Sequence, residues 1–318
     1  MTIEFESLLT ENEMAAGFLA GLERRYLPEK FFYWFPLSVR AWLDLCNASQ
    51  PYRNYSRSFQ LIRSHALEIA ASCSAREIEV VSFGAGQGDK DVLVLEALRS
   101  SGKSVFYRPV DASLALLEMA VLRATDAGFG ARGLKADVED ARTSHWLAKT
   151  AGTPRLYLIL GNSLGITDPS NFLRSLRAVL RPDDWILLDG EIYHPESTML
   201  GYDNPANRKF AFAPLESLGL TEGQDGELIF TLEDAPQFAG MHWVRKYFQA
   251  ARALRFAVAG KWMKLDEGEK ILMSPSWKYS RSAFDALLRQ AGGLKSELEF
   301  VGDDGHFVMV IARRQDAQ

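Results

Sequence analysis

Apolar residues change their spacing three times along the chain, and each change predicts a different kind of structure. From Phe5 to about Ala71 they recur at helical spacing, in "AAGFLAGLERRYL", "SVRAWLDLC" and "SFQLIRSHALEIAA", with breaks at Pro28, Pro36 and Pro51. This predicts a helical preface. From Ile78 to Asp189, "IEVVSF", "SVFYRPVDAS", "GLKADV", "RLYLILGN" and "WILLDGEI" read as strands. Between them, "DKDVLVLEALRS", "LALLEMAVLRATDAG", "DARTSHWLA" and "PSNFLRSLRAVL" read as helices. Strands apolar on both faces and alternating with helices predict a mainly parallel, doubly wound sheet covered on each side. After Tyr193 the rhythm is lost in "HPESTMLGYDNPANRKFAFAPLE", rich in Pro and Asn, and mixed segments follow through "MHWVRKYFQAARALRFAVAGKWMKL". It resumes in a final helix, "SRSAFDALLRQAGG", and a strand pair around "LEFVGDDGHFVMVIARR", whose DDG suits a hairpin turn.

The simplest reading is an α/β domain interrupted by an insert. Residues 1–75 form the helical part of a second, α+β domain; 76–194 carry the doubly wound sheet; 195–279 complete the second domain; 280–318 return to the first. No internal repeat and no low-complexity stretch complicates this division.

Composition narrows the ligand rather than the fold. A net charge of −5 and a pI near 5.7 disfavour a broad nucleic-acid surface. Two isolated cysteines, Cys46 and Cys73, and five histidines without CxxC or HExxH spacing predict neither a disulfide framework nor a metal site. The acidic start, "MTIEFESLLTENEMAAGF", lacks the basic and apolar segments of a secretory signal, and no apolar run is long enough to span a bilayer. A cytoplasmic enzyme acting on a small molecule is expected, with neither nucleic-acid nor membrane partner, as a monomer or weak homodimer.

The chemistry concentrates in "EVVSFGAGQGDKDVLVLEAL". A strand running into Gly84, Gly86 and Gly88 and then a helix brings free backbone N–H groups to the carboxyl edge of the sheet, where open α/β folds bind ligands. Asp111, about 20 residues beyond the glycines at the end of the next strand, is placed to accept from both ribose hydroxyls. Asp137 ends the strand after that and can meet an adenine amino group. The spacing is GxGxG rather than GxGxxG, with Asp89 and Lys90 following and no GxxxxGK[ST]. S-adenosylmethionine suits this turn, with Lys90 on its carboxylate; NAD is the weaker alternative.

Beyond these features the chain resembles the histidine-specific S-adenosylmethionine-dependent methyltransferases of the ergothioneine pathway, nearly end to end. The resemblance rests on "LPEKFFYWFPLSVRAWLDL", "PYRNYSRSFQLIRSHALEIA", "SFGAGQGDK", "YRPVDAS", "LILGNSLGITDPSNFLRSL" and "EKILMSPSWKYSRSAFDALLRQAG". It implies a Rossmann-like class I methyltransferase domain and a second domain, with the acceptor enclosed between them. Carried over by position, it implies that Gly84, Ala85, Gly86 and Lys90 hold the methionine portion. Asp111 and Ser113 fall at the ribose, Asp137 and Val138 at the adenine, and Gly161 and Asn162 at the edge of the cofactor. Tyr52 and Tyr55 fall where family members present catalytic or acceptor-binding groups, and Asn162, Ile166, Glu191, Ser274 and Ser276 complete the acceptor site.

Three positions depart from the family pattern. Ser82 stands where an acid precedes the first glycine. Ile166 replaces an asparagine that holds the amino acid's backbone end, and Ser274 replaces the carboxylate that, with Ser276, grips an imidazole. The expected reaction is therefore methyl transfer to nitrogen of an amino acid or derived metabolite other than free histidine. Transfer to carbon or oxygen of a specialised metabolite, or cofactor binding without catalysis, are the alternatives. Tyr52, Tyr55, Glu191 and His194 are candidate bases by location. Trp243, Tyr247, Phe248, Trp262 and Trp277 are expected mainly in the core, and Arg245, Lys246, Arg252 and Arg255 mainly on a solvated face.

Overall fold

A computed structural model describes residues 4–47, 53–150, 152–235 and 238–315. The chain divides into two compact units. One comprises Met1–Leu8, Asn54–Tyr193 and Lys278–Gln318; the other comprises Leu9–Arg53 and His194–Trp277.

The first unit is built on a nine-stranded sheet. In spatial order its main path runs Phe5–Ser7, Gly133–Lys135, Ser104–Asp111, Glu77–Phe83, Arg155–Ile159, Trp185–Glu191, Phe307–Arg314 and Leu294–Val301. Pairing is parallel as far as Trp185–Glu191; Phe307–Arg314 is antiparallel to both neighbours. The chain winds outward on one side from Glu77–Phe83 and then crosses to start the other side at Arg155–Ile159. The adjacent carboxyl ends of these two strands form a topological switch point, where such sheets open a crevice. Both central strands are almost wholly buried, because every residue faces either the sheet or a covering helix.

Two expectations are corrected here. Phe5–Ser7 is an edge strand, not the start of a helix; three residues are too few to show a period. The helix begins after a capping box in which the Thr10 hydroxyl accepts from Glu13 N–H and the Glu13 carboxylate accepts from Thr10 N–H. The helix Asn54–Ser72 lies in the sheet unit, against the helix Asp89–Ser100 and the strand Phe307–Arg314, so the boundary expected at residue 75 falls before Asn54. Its apolar stripe of Leu61, Ile62, Ile69 and Ala70 joins the core that contains Val80, Leu158 and Leu187.

The second unit contains the helices Glu11–Glu23, Pro36–Asn47, Pro195–Tyr202 and Pro205–Glu216 and a five-stranded sheet centred on Met241–Ala250. The segment in which the rhythm was lost forms two of these helices. Pro195 and Pro205 occupy first helical positions, and the His194 and Asn204 side chains cap them, so the residues that blurred the pattern start the helices. Along Met241–Ala250, Val244, Lys246, Phe248 and Ala250 are buried, while Trp243, Arg245, Tyr247 and Gln249 alternate to a more open face. The Phe212 ring reaches the buried face at Phe248, centroids 5.9 Å apart. Lys246 is thus a core residue, whereas Trp262 is 65% exposed. No helix among the described residues is long and apolar enough to cross a membrane.

Candidate active site

The three glycines after Glu77–Phe83 are required for three different reasons. All have positive φ, +63° at Gly84, +57° at Gly86 and +78° at Gly88. At Gly88 an added Cβ would stand 2.9 Å from Ala120 Cα, so this glycine admits the neighbouring helix. At Gly84 it would meet Ser163 Oγ across the switch point at 3.3 Å. At Gly86 it would meet nothing within 4 Å. The turn therefore leaves open space over Gly86, which a ligand can approach at backbone distance.

Asp111 closes one side of this turn. Its Oδ2 accepts from Gly86 N–H at 3.0 Å and its Oδ1 from Ser113 N–H at 2.9 Å. Ser113 also caps the helix Leu114–Asp126. Burial pushes the Asp111 carboxyl up to about 6 despite these amide bonds. Each oxygen retains a lone pair for a further donor. Ala85 is buried between Gly84 and Gly86. Asp137 and Val138 are half-buried just past Gly133–Lys135, with Asp137 Oδ1 accepting from Glu139 N–H at 3.0 Å.

Lys90 closes the other side, from the first turn of the Asp89–Ser100 helix. Its ammonium lies 4.6 Å from the Tyr55 ring centroid and 2.9 Å from where a Cβ on Gly161 would be, so Gly161 makes its room. Lys90 makes no hydrogen bond or ion pair among the described residues. A half-buried cation beside an open glycine turn fits the carboxylate of an amino-acid-bearing cofactor. Tyr55 donates to Asp89 Oδ2 at 2.6 Å and accepts from Gln87 Nε2 at 3.0 Å, which fixes its hydroxyl. Tyr52 lies outside the described residues.

Across the switch point a buried acid organises the loop after Arg155–Ile159. Asp189 accepts from Gly161 N–H at 2.9 Å, Asn162 N–H at 2.7 Å and Ser58 Oγ at 2.5 Å. Burial nonetheless raises its carboxyl above the ordinary range. Asn162 has φ +67° and is buried; its Oδ1 accepts from Glu191 N–H at 3.1 Å. A Cβ on Gly165 would come within 2.4 Å of the Asn162 amide, so Gly165 is the space that Asn162 fills. Ile166 ends the short turn Ser163–Ile166, half-buried. Glu191 is held at Oε2 by Asn54 Nδ2 at 2.6 Å and by the fully buried Lys278 ammonium at 2.9 Å. These residues come together in the first unit.

Ser274 and Ser276 lie in the second unit. Ser274 is buried with φ +52°, and the Ser276 hydroxyl is 3.1 Å from Tyr202 Oη. His194, a candidate base by location, caps the helix Pro195–Tyr202, its side chain accepting from Ser197 N–H.

Ser82 is paired with an acid from the helix. The Tyr107 hydroxyl donates to Asp91, the Ser82 hydroxyl acts on the same carboxyl to hold it down, and all three groups are buried beneath the glycine turn. Burial raises the Asp91 carboxyl and pushes the Tyr107 hydroxyl well up. Asp91, Tyr107, Asp189, Ser58, Asn54 and Lys278 were missed by sequence reasoning. Asp189 was discoverable, with Glu191, as a charge inside the apolar run "WILLDGEI"; Asp91 gave no such signal, because "DKD" resembles any solvated helix start.

Comparison with known proteins adds the following. The histidine-specific, S-adenosylmethionine-dependent methyltransferase family matches residues 12–314. An N-methyltransferase, fsqC, of Aspergillus fumigatus is 27% identical, covering 89% of this chain and 79% of that protein. The histidine N-alpha-methyltransferase of Mycobacterium tuberculosis is 24% identical, covering 86% of each. The N-methyltransferase imqF of Aspergillus flavus is 25% identical, covering 86% of this chain and 78% of that protein.

Proposed function

The chain belongs to the histidine-specific, S-adenosylmethionine-dependent methyltransferase family, and from that premise we propose that it methylates nitrogen on an amino acid or amino-acid-derived small molecule other than free histidine. The observation that carries the site assignment is the open turn at Gly86 flanked by the unpaired Lys90 ammonium and the Asp111 carboxylate. When bound, S-adenosylmethionine supplies an electrophilic methyl group on a sulfonium. Gly84, Ala85 and Gly86 would hold its methionine portion with Lys90 on the carboxylate, Asp111 its ribose hydroxyls, and Asp137 with Val138 its adenine.

The acceptor amine must be neutral when it attacks, so the protein has to orient its lone pair and receive a proton. In this reading Tyr55 relays the proton: as its oxygen takes a proton from the amine, its own proton passes to Asp89 Oδ2, 2.6 Å away, so the phenol ends neutral and the carboxylate holds the charge. Glu191, charge-paired with Lys278, is a second anion for an ammonium to meet on binding. Two of the relatives are named N-methyltransferases and the third a histidine N-alpha-methyltransferase, which supports nitrogen as the methylated atom. Ile166 and Ser274 argue against histidine: neither offers the amide or the carboxylate that the family pattern places there.

Incubation with S-adenosylmethionine and a panel of amino acids and amines, read by mass gain and release of S-adenosylhomocysteine, tests this. Turnover is expected on an amine other than histidine. Efficient methylation of free histidine would overturn the exclusion, and cofactor binding without turnover on any amine would overturn the reading.

A further inference from the structure

Within the second unit, one charge pair is buried and left open. Lys246 is 3% exposed and Glu29, at the start of the turn Glu29–Tyr33, is 8% exposed. The ammonium and Glu29 Oε2 stand 3.7 Å apart, close enough to attract but too far to hydrogen-bond. Glu29 Oε1 accepts from Tyr33 Oη at 3.0 Å, whereas Oε2 is buried with no hydrogen-bond partner among the described residues. Lys246 makes no hydrogen bond there either; its other neighbour is the Phe32 ring, 5.1 Å from centroid to Nζ.

A pair that served only folding would close to about 2.8 Å, where a charge-assisted hydrogen bond is strongest. Left apart, both ions keep a desolvation cost that a third group would relieve. A single hydroxyl is the smallest group able to do so, because it donates to the carboxylate oxygen and accepts from the ammonium at once. Around the pair the layer is aromatic. Phe32 and Phe210 centroids are 5.9 Å apart, and Tyr33 and Trp42 lie 5.4 Å from Phe210.

This face also carries Ser276, which the family resemblance places at the acceptor. Trp277 meets Trp243 at 4.7 Å on the open face, so strand alternation puts Ser276 on the side of Lys246. We infer that Glu29 and Lys246 read a hydroxyl group on an aromatic side chain of the acceptor, which makes the preferred substrate class hydroxyaryl amines or amino acids. The inference rests on the small-molecule N-methylation proposed above.

The test uses matched probes that differ by one hydroxyl, tyramine against phenethylamine and tyrosine against phenylalanine, with the full-length protein. Initial rates give kcat/KM, and calorimetry on the S-adenosylhomocysteine complex gives binding. The hydroxylated member should be preferred on the order of 100-fold, since its analogue leaves both buried ions unpaired. That preference should disappear in the double variant Glu29→Leu/Lys246→Met, which removes both charges at similar volume, and weaken in Glu29→Gln, whose milder change guards against a folding defect. Equal use of both probes by the wild type, or a preference that survives the double variant, overturns the inference. So does turnover confined to non-aromatic amines, which leaves N-methylation standing. Cofactor binding without turnover of any amine overturns the functional reading as well.

Discussion

In the role proposed for it, Asp111 couples the fold to the cofactor with opposite signs. Its carboxyl is raised from 3.8 to about 6 by burial, so folding favours its neutral form. The stability it contributes is complete below pH 3.8 and is lost as pH rises through about 6. For a shift of this size that loss is about 3 kcal/mol in the ligand-free protein at neutral pH. Cofactor binding runs the other way, because two ribose hydroxyls need an ionised acceptor. Calorimetric Kd for S-adenosylmethionine should therefore rise about tenfold per pH unit below pH 6. Asp111→Asn should bind weakly throughout and show no inflection there. A wild-type Kd that is flat between about pH 5 and pH 8 would remove Asp111 from the ribose.

At the scale of elements, the acid absent at Ser82 is supplied by the next helix. Ser82 ends its strand with a hydroxyl, and Asp91, in the first turn of Asp89–Ser100, brings the carboxylate to it together with Tyr107. The acid has moved nine positions along the chain but stays under the glycine turn. Each single exchange should then fail while the reciprocal one works. Asp91→Ser leaves two buried hydroxyls without their acceptor, and Ser82→Asp buries a second carboxylate beside the first; each should lower Tm by several degrees. In Ser82→Asp/Asp91→Ser, one carboxylate again faces the hydroxyl partners, so Tm and cofactor Kd should both recover. Strictly additive losses would show that Asp91 and Ser82 act independently.

The same elements show what could be read from sequence. Period and alternation located the parallel strands, the glycine turn and the Asp111 edge, because those depend on local pattern. Lys278 and Asn54 were illegible, since their partner Glu191 lies far away in sequence, and Asp91 was illegible because an acid at a helix start looks solvated. Lys246 was misjudged for a related reason. One lysine in an alternating strand looks solvated unless its neighbours across the core are known, and Glu29 lies more than two hundred residues away.

Taken as a whole, the molecule gathers buried acids at the glycine edge of its sheet. Asp91, Asp111 and Asp189 are all raised by burial, and Lys90 is the cation that acts on two of them. As Asp111 ionises, the edge gains a negative charge and favours a cation. S-adenosylmethionine carries one more positive charge than its demethylated product, which has lost the sulfonium. The site should therefore hold the methyl donor more tightly than the spent thioether, and this advantage should grow with pH. At an effective dielectric near 20 and separations near 10 Å, one charge is worth about 1–2 kcal/mol, or roughly tenfold. The ratio of product Kd to cofactor Kd, measured by calorimetry, should thus be about tenfold larger at pH 8 than at pH 5. Asp111→Asn should abolish that change, because the carboxyl raised to about 6 is the one that ionises in this range. A ratio independent of pH would mean that Asp111 is shielded from the sulfonium, and discrimination would then have to come from shape alone.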